Sequence, residues 1–260
     1  MKVSELSTAF DVDLVYPDGF SFFEPYLRHF IREVLQMGGE AYVSRAADRS
    51  VSGVFLYDDS EKAGTVFTRS RGVFDYFRRL KPLNSLFAEL ETEVESEVYD
   101  IYTIDLENQD IFHRFSHEIS MGDEGQIGEI ERFMVLAHPG MNRRWIRVAL
   151  ENRDKCLTVR LGSEIAGMGW VSLAKGIGRI HSLFVNPQFR RMGIGEDLLH
   201  ARLLWLRSMQ ARSAFSEISR HNFPSASIAS KAQMKVCGQV FQYFGKNPPR
   251  NEPIKRRMCV

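Results

Sequence analysis

Two glycines either side of one isoleucine, with a pair of arginines just before them, are the residues of this sequence best placed to do chemistry. Gly193 and Gly195 bracket Ile194, and Arg190 and Arg191 stand immediately upstream. Ile180, Leu183, Phe184 and Val185 form a strand-like apolar cluster, ended by Pro187, which cannot donate to a ladder. Leu198, Leu199, Ala201, Leu203, Leu204 and Trp205 read as a buried helix. The order is therefore strand, tight glycine loop, helix. A glycine loop opening a helix leaves several backbone N–H groups unpaired and pointing the same way, which makes a site for an anion, above all a phosphate. The spacing is not the dinucleotide fingerprint, whose further glycine would fall at Leu198, and no Gly-Lys-Ser/Thr follows as a P-loop requires.

The rest of the chain must hold that loop in place. At 260 residues the length is comfortable for two domains. Hydrophobic content of 44% and charged content of 26% are those of a globular protein. A net charge of +1 argues against a general nucleic-acid role, which would want a basic excess. Cys156, Cys237 and Cys259 share no metal-ligand spacing and suggest no disulfide framework, so a reducing cytoplasm is the expected setting and no metal is expected. The first residues have no long apolar core, and no run of 18 apolar residues occurs, so neither a signal peptide nor a membrane span is expected.

In chain order, apolar residues at helical spacing predict a helix over 20–37, stopped by Gly38-Gly39. Strands are expected over 41–45 and 51–57, a third apolar run over 65–68, a short helix from Val73 ending near Pro82, an acidic helix over 86–95 and a strand over 98–104. The pattern then starts again: a possible strand over 112–120, helices over 126–136 and 145–151, and strands over 156–160, 165–172 and 178–185. A strand over 214–219, a helix from Asn222 or Ser225 to about Lys235 and a closing strand over 236–244 complete it. Val51-Ser52-Gly53-Val54-Phe55 and Gly64-Thr65-Val66-Phe67 each sit 114 residues before a similar string, Ile165-Ala166-Gly167-Met168-Gly169 and Gly178-Arg179-Ile180-His181. A shared offset suggests a duplicated unit. The first copy lacks the glycine loop, since Arg79 and Lys81 fall where Gly193 and Gly195 would be. The expected division is a degenerate first domain over 1–108, a second over 109–246 and a basic tail over 247–260, read as a solvated terminus.

The full string Leu183-Phe184-Val185-x-Pro187-x-Phe189-Arg190-Arg191-x-Gly193-Ile194-Gly195-x-x-Leu198-Leu199 resembles the acetyl-CoA-binding motif of the GNAT superfamily of N-acyltransferases. The resemblance covers about residues 113–244 and implies the GNAT fold, a twisted mixed α/β sheet flanked by helices, in two tandem halves if the duplication holds. In that fold two strands splay apart and the pantetheine arm of the cofactor pairs with the exposed edge. The resemblance therefore assigns pantetheine contacts to Leu183, Phe184 and Val185. It assigns the pyrophosphate cradle to the backbone of Arg191, Met192, Gly193, Ile194, Gly195 and Glu196, the Glu196 side chain turning away and Arg190 and Arg191 adding charge.

The family often places a Glu base two residues before the pantetheine-binding run; here that position is His181, whose imidazole titrates near neutrality, with a structural or substrate-lining histidine as the plain alternative. Glu217 on the next strand is the second candidate. Asn222 and Ser225 fit the opening of the family's Asn-x-x-Ala/Ser pattern, and Asn222 counts with the cofactor contacts. The Tyr that protonates the departing thiolate falls at Ala229, and the usual Gly-Phe at Gln233-Met234; Tyr243 is a distant stand-in. The implied reaction is direct transfer of acetyl from acetyl-CoA, as cosubstrate, to a primary amine in a ternary complex, by a monomer or homodimer. Three rivals stand beside it: a non-catalytic acyl-CoA sensor or scaffold on the same fold, an acyltransferase taking longer chains or a hydroxyl acceptor, and a polyanion-binding module using the tail.

Overall fold

The structure, a computed structural model, describes residues 2–7, 16–17, 20–138 and 143–244; the tail expected over 247–260 lies outside them. In chain order the first part runs β1 (Lys2–Leu6), α1 (Leu27–Gln36), β2 (Glu40–Arg45), β3 (Val51–Asp58), β4 (Ala63–Phe67), α2 (Arg71–Leu80), β5 (Ser85–Ala88) and β6 (Ser96–Asp105). The remainder runs β7 (Ile119–Met121), α3 (Ile127–Ala137), α4 (Arg144–Glu151), β8 (Lys155–Leu161), β9 (Glu164–Ala174), β10 (Ile177–Val185), α5 (Ile194–Ser208), β11 (Ser213–Ser219), α6 (Phe223–Lys231) and β12 (Lys235–Phe244). The described residues form two compact units: those up to 100 with 238–244, and those from 101 to 237. The division falls within β6, and most of β12 counts with the first unit. Among the described residues no helix is long and apolar enough to cross a membrane.

In the first unit the sheet order is β1-β2-β3-β4-β5-β12. Its core gathers Phe55, Tyr57, Val66, Phe74, Phe77, Phe241 and Tyr243. Helix α2 starts three residues after β4 ends, capped by Ser70, whose Oγ accepts from the Val73 amide at 3.4 Å. Residues 86–95, expected as a helix, instead begin with strand β5: Leu86 and Ala88 alternate into the core, and β4 on one side and β12 on the other supply the ladder. An apolar run of that length fits either period, and the two-sided pairing decides it.

In the second unit residues 101–105 of β6 are followed in the sheet by β11-β10-β9-β8-β7. Strands β10 and β11 are parallel; the pairs β10–β9, β9–β8 and β8–β7 are antiparallel. Helix α5 lays Leu198, Leu199, Leu203 and Leu206 on a core that includes Val171, Ile180 and Ala214. The segment 112–120 is a strand only over its last two residues; the part before them has no regular structure and serves a different purpose, described below.

Each unit contains the same succession of an antiparallel hairpin, a helix and a parallel strand. The parallel registers even start at matching points, Ala63↔Ser85 and Ile177↔Ser213, with Ala63 and Ile177 114 positions apart. The hairpin turns differ, however: Asp58 pairs with Ala63, whereas Ala174 pairs with Ile177. Asp58 thus corresponds to Ala174 at an offset of 116, and the string match from Val51 to Phe55 is displaced by two residues from the structural one. Beyond β4 the offset fails as well. Arg79 is in the last turn of α2 and Lys81 follows it, so neither stands at a helix start.

Candidate active site

The pairing of β10 with β11 ends at Arg179↔Phe215, while its pairing with β9 continues to Val185↔Gly167. Among the described residues, 180–185 therefore have a neighbouring strand on one edge only. Along this run the register with β9 shifts between His181↔Trp170 and Phe184↔Met168, and Ser182 takes a φ of 50°. This is a β-bulge, which bends a strand and re-aims its peptide groups. Leu183, Phe184 and Val185 all lie on the stretch that β11 leaves uncovered.

After β10, Asn186 caps a short 3-10 turn, Pro187–Phe189, and the chain enters the glycine loop. Arg191 has a φ of 66° and Gly193 a φ of 85°, the region where only glycine is at ease. Gly193 is the N-cap of α5, and its carbonyl accepts from the Glu196 and Asp197 amides at 3.0 Å. Among the described residues the amides of Met192, Gly193, Ile194 and Gly195 donate to no backbone carbonyl. They form the positive end of a 15-residue helix. Gly195 differs from Gly193 in kind. Its φ is not left-handed, and a Cβ there would lie 3.6 Å from Ile228, an ordinary contact. Among the described residues nothing demands glycine at 195. The Glu196 carboxylate pairs with Lys231 on α6 at 3.0 Å, Arg190 Nε donates to the Val185 carbonyl at 3.3 Å, and Arg191 and Met192 are exposed.

Two faces of β10 have different neighbours. Gly169 of β9 faces α5, so Trp170 and its register partner His181 face the other way. There the His181 ring meets Trp145 of α4 edge-on at 5.8 Å, Trp145 meets Trp170 at 5.0 Å, and Phe133 of α3 meets Phe184 at 5.5 Å. Helices α3 and α4 thus build an aromatic wall beside the half-buried His181, whose Nδ1 is 3.3 Å from Ser182 Oγ. Glu217 on β11 is nearly buried and engaged: Arg179 Nε donates to its two oxygens at 3.2 and 3.3 Å. Asn222 is the N-cap of α6, held through its backbone, with no capping bond from its side chain. Ala229 is buried in the core of the second unit, so no hydroxyl is offered there. Tyr243 is committed to the first unit's core, its hydroxyl donating to the Leu90 carbonyl at 2.6 Å.

Residues 128–231 match the acetyltransferase (GNAT) family model. Over this segment the chain is similar to the GNAT acetyltransferases. Solved structures agree at the level of fold. A tandem GNAT protein from the clavulanic acid biosynthesis pathway superposes with a TM-score of 0.59 at 13% identity, over 82% of this chain and 84% of its own. A GCN5-related N-acetyltransferase from Sphaerobacter thermophilus gives 0.57 at 13%, over 78% and 79%. A GNAT-family acetyltransferase from Colwellia psychrerythraea gives 0.55 at 11%, over 95% of this chain and all of that one. No curated protein matches the sequence. The two-half GNAT architecture is thus shared with solved structures, one of them a tandem protein.

The second unit also holds groups that sequence reasoning missed. Asp197, one residue past Glu196 on α5, accepts from His113 Nε2 at 2.5 Å, His117 Nδ1 at 2.7 Å and the amides of Ser116 and His117. The His113 ring stacks on His200 at 4.0 Å, and His200 Nδ1 donates to the Glu196 carbonyl at 2.9 Å. Burial alone raises the Asp197 carboxyl, but the hydrogen bonds from His113 and His117 outweigh it and hold the group below its ordinary range. Burial pushes His200 down, the Glu196 carbonyl opposing. Four-residue spacing of His113 and His117 was the only trace of this in the sequence, and its partner lies 80 residues away.

Proposed function

We propose that this protein is an acetyl-CoA-dependent N-acetyltransferase moving an acetyl group to a primary amine by direct attack in a ternary complex. The observation that carries the reading is the conjunction of an uncovered β10 edge with a run of unpaired amides at the start of α5. The GNAT match speaks for acyl transfer in general, and the choice of acetyl-CoA and an amine rests on the site. The edge over 183–185 would hold pantetheine, and the backbone of 191–196, through its unpaired amides at 192–195, the pyrophosphate, with Asn222 beside them. The absence of a side chain at Gly195, which neither φ nor packing explains, fits close approach by a ligand. Acetyl-CoA supplies an activated thioester. The chain must supply a proton acceptor, because an alkyl amine with a pKa of about 10 is mostly protonated at neutral pH. His181, beside the aromatic wall, takes that proton directly or through water. Glu217 is the weaker candidate, since Arg179 occupies its oxygens. With Ala229 in the core and Tyr243 tied to Leu90, the thiolate, an ordinary thiol of pKa about 8.5, leaves without a protein acid. This reading keeps a degenerate first domain over 1–108, the transferase over 109–246 and a cytoplasmic setting suited to free Cys156 and Cys237.

The buried Ala229 favours a second reading, an acyl-CoA-binding sensor without turnover. Calorimetric titration of acetyl-CoA into the wild type and Gly195→Ala, followed by an amine screen monitored by free-thiol release, separates the two. The transferase reading expects binding weakened about tenfold or more by the added methyl, and thiol release with an amine. Binding without release from any amine selects the sensor; a folded wild type that does not bind acetyl-CoA overturns both.

A further inference from the structure

Arg202, in the middle of α5, is wholly buried, yet among the described residues it pairs with no carboxylate. Its partners are three carbonyls. Nε donates to Leu198 one turn back at 2.9 Å, and Nη1 donates to both Trp170 and His181 at 3.2 Å. Burial lowers its pKa to about 9, the nearby Cys156 opposing, so the side chain is still a cation at neutral pH. A buried cation without a counter-charge is costly, and a leucine would serve the surrounding core. A second unusual choice stands directly opposite. Gly169 is in the centre of β9, and a Cβ there would lie 2.8 Å from Arg202 Cζ and 2.9 Å from Nη1. A glycine in a strand interior and an arginine in a core thus serve one contact.

That contact is at the bulge. His181 and Trp170 are the last register pair before it, and Ser182 and Leu183 have no register partner on β9. The His181 carbonyl is drawn toward the α5 face by Arg202. In a trans peptide the C=O and the following N–H point opposite ways. We propose that Arg202 is a positioning residue: it holds the His181–Ser182 peptide turned so that the Ser182 amide faces the side of the sheet carrying His181 and Trp145. Resting on the transferase reading, this gives that amide a task as a fixed donor to the oxyanion that develops on the acyl carbonyl. Arg202 itself touches no reacting atom.

The test uses the full chain labelled with 15N, comparing wild type, Gly169→Ala, Arg202→Lys and Arg202→Met. Gly169→Ala keeps the arginine and displaces only its guanidinium. The inference expects the Ser182 amide resonance to move in Gly169→Ala and Arg202→Met and to return part-way in Arg202→Lys. It expects kcat to fall about 100-fold in the first two, with the acetyl-CoA Kd within about threefold of wild type. A folded Gly169→Ala with the Ser182 resonance unmoved and kcat intact overturns it. If Arg202→Met does not fold, Gly169→Ala decides alone. If the wild type does not bind acetyl-CoA, the transferase reading falls, and the Ser182 resonance still decides whether Arg202 sets this peptide.

Discussion

His181 and Glu217 can each take a proton, but their surroundings give them different work. His181 is half-buried against the edge of Trp145, whereas Glu217 is pinned by Arg179 in a pair that is almost fully enclosed. Replacing His181 by Ala is expected to lower kcat by about 10² to 10⁴, with acetyl-CoA affinity unchanged by calorimetry; a loss smaller than threefold would remove it from the role of base. Glu217→Gln is expected to act mainly on stability, because it leaves the Arg179 charge enclosed without its carboxylate. The loss should be about 3 kcal/mol by urea unfolding, and Arg179→Met together with Glu217→Gln should cost less than the sum of the two single changes. Both residues could be picked out in the sequence, since each stands on a strand beside the glycine loop. Arg179's claim on Glu217 could not, because it depends on the parallel register that sets Arg179 opposite Phe215.

Strand, loop and helix around Gly193 were legible because they are local: apolar strand, proline, glycines and apolar helix follow within thirty residues or so, and each obeys its own short-range rule. The segment 112–118 was not, because its order comes from Asp197 on α5 rather than from its own period. It is a strap pinned to the helix that opens the candidate site, and the pinning titrates. Asp197 is held below its ordinary value of about 4, so its share of stability is complete above that value and is lost as pH falls through the lowered one. His200 is likewise depressed, so the fold prefers its neutral ring; that share is complete above about 6.5 and fades as pH falls below it. Both signs agree that acid loosens the strap. Differential scanning calorimetry should show Tm falling between pH 7 and pH 5 in the wild type. His200→Phe, which keeps a ring against His113, should flatten that part of the curve and leave the further fall below about pH 4.

At the scale of the whole chain, the two halves share a topology and differ at the one place where chemistry is expected. In the second unit eight residues separate β10 from α5; in the first, three separate β4 from α2, and Ser70 already caps the helix start. An anion has no loop to enter there. Acetyl-CoA should therefore saturate at one equivalent per chain, and a titration reaching two would contradict this account. The repeat was readable as an offset of 114 along β4 and β10, but its course through the hairpins was not, because two extra turn residues move β3 without altering its apolar pattern. One feature of the first unit also bears on how the protein is made. Its sheet is completed by β12, which pairs Phe241 with Ala88 and Tyr243 with Leu86. A ribosome must translate all of residues 101–237 before that strand exists, a delay on the order of ten seconds. The second unit can close during that interval, so the half synthesised first is the half that finishes last. Until then the β5 edge stands open to chaperones, and a released chain truncated after residue 237 should be cut by protease in its first hundred residues while the rest resists.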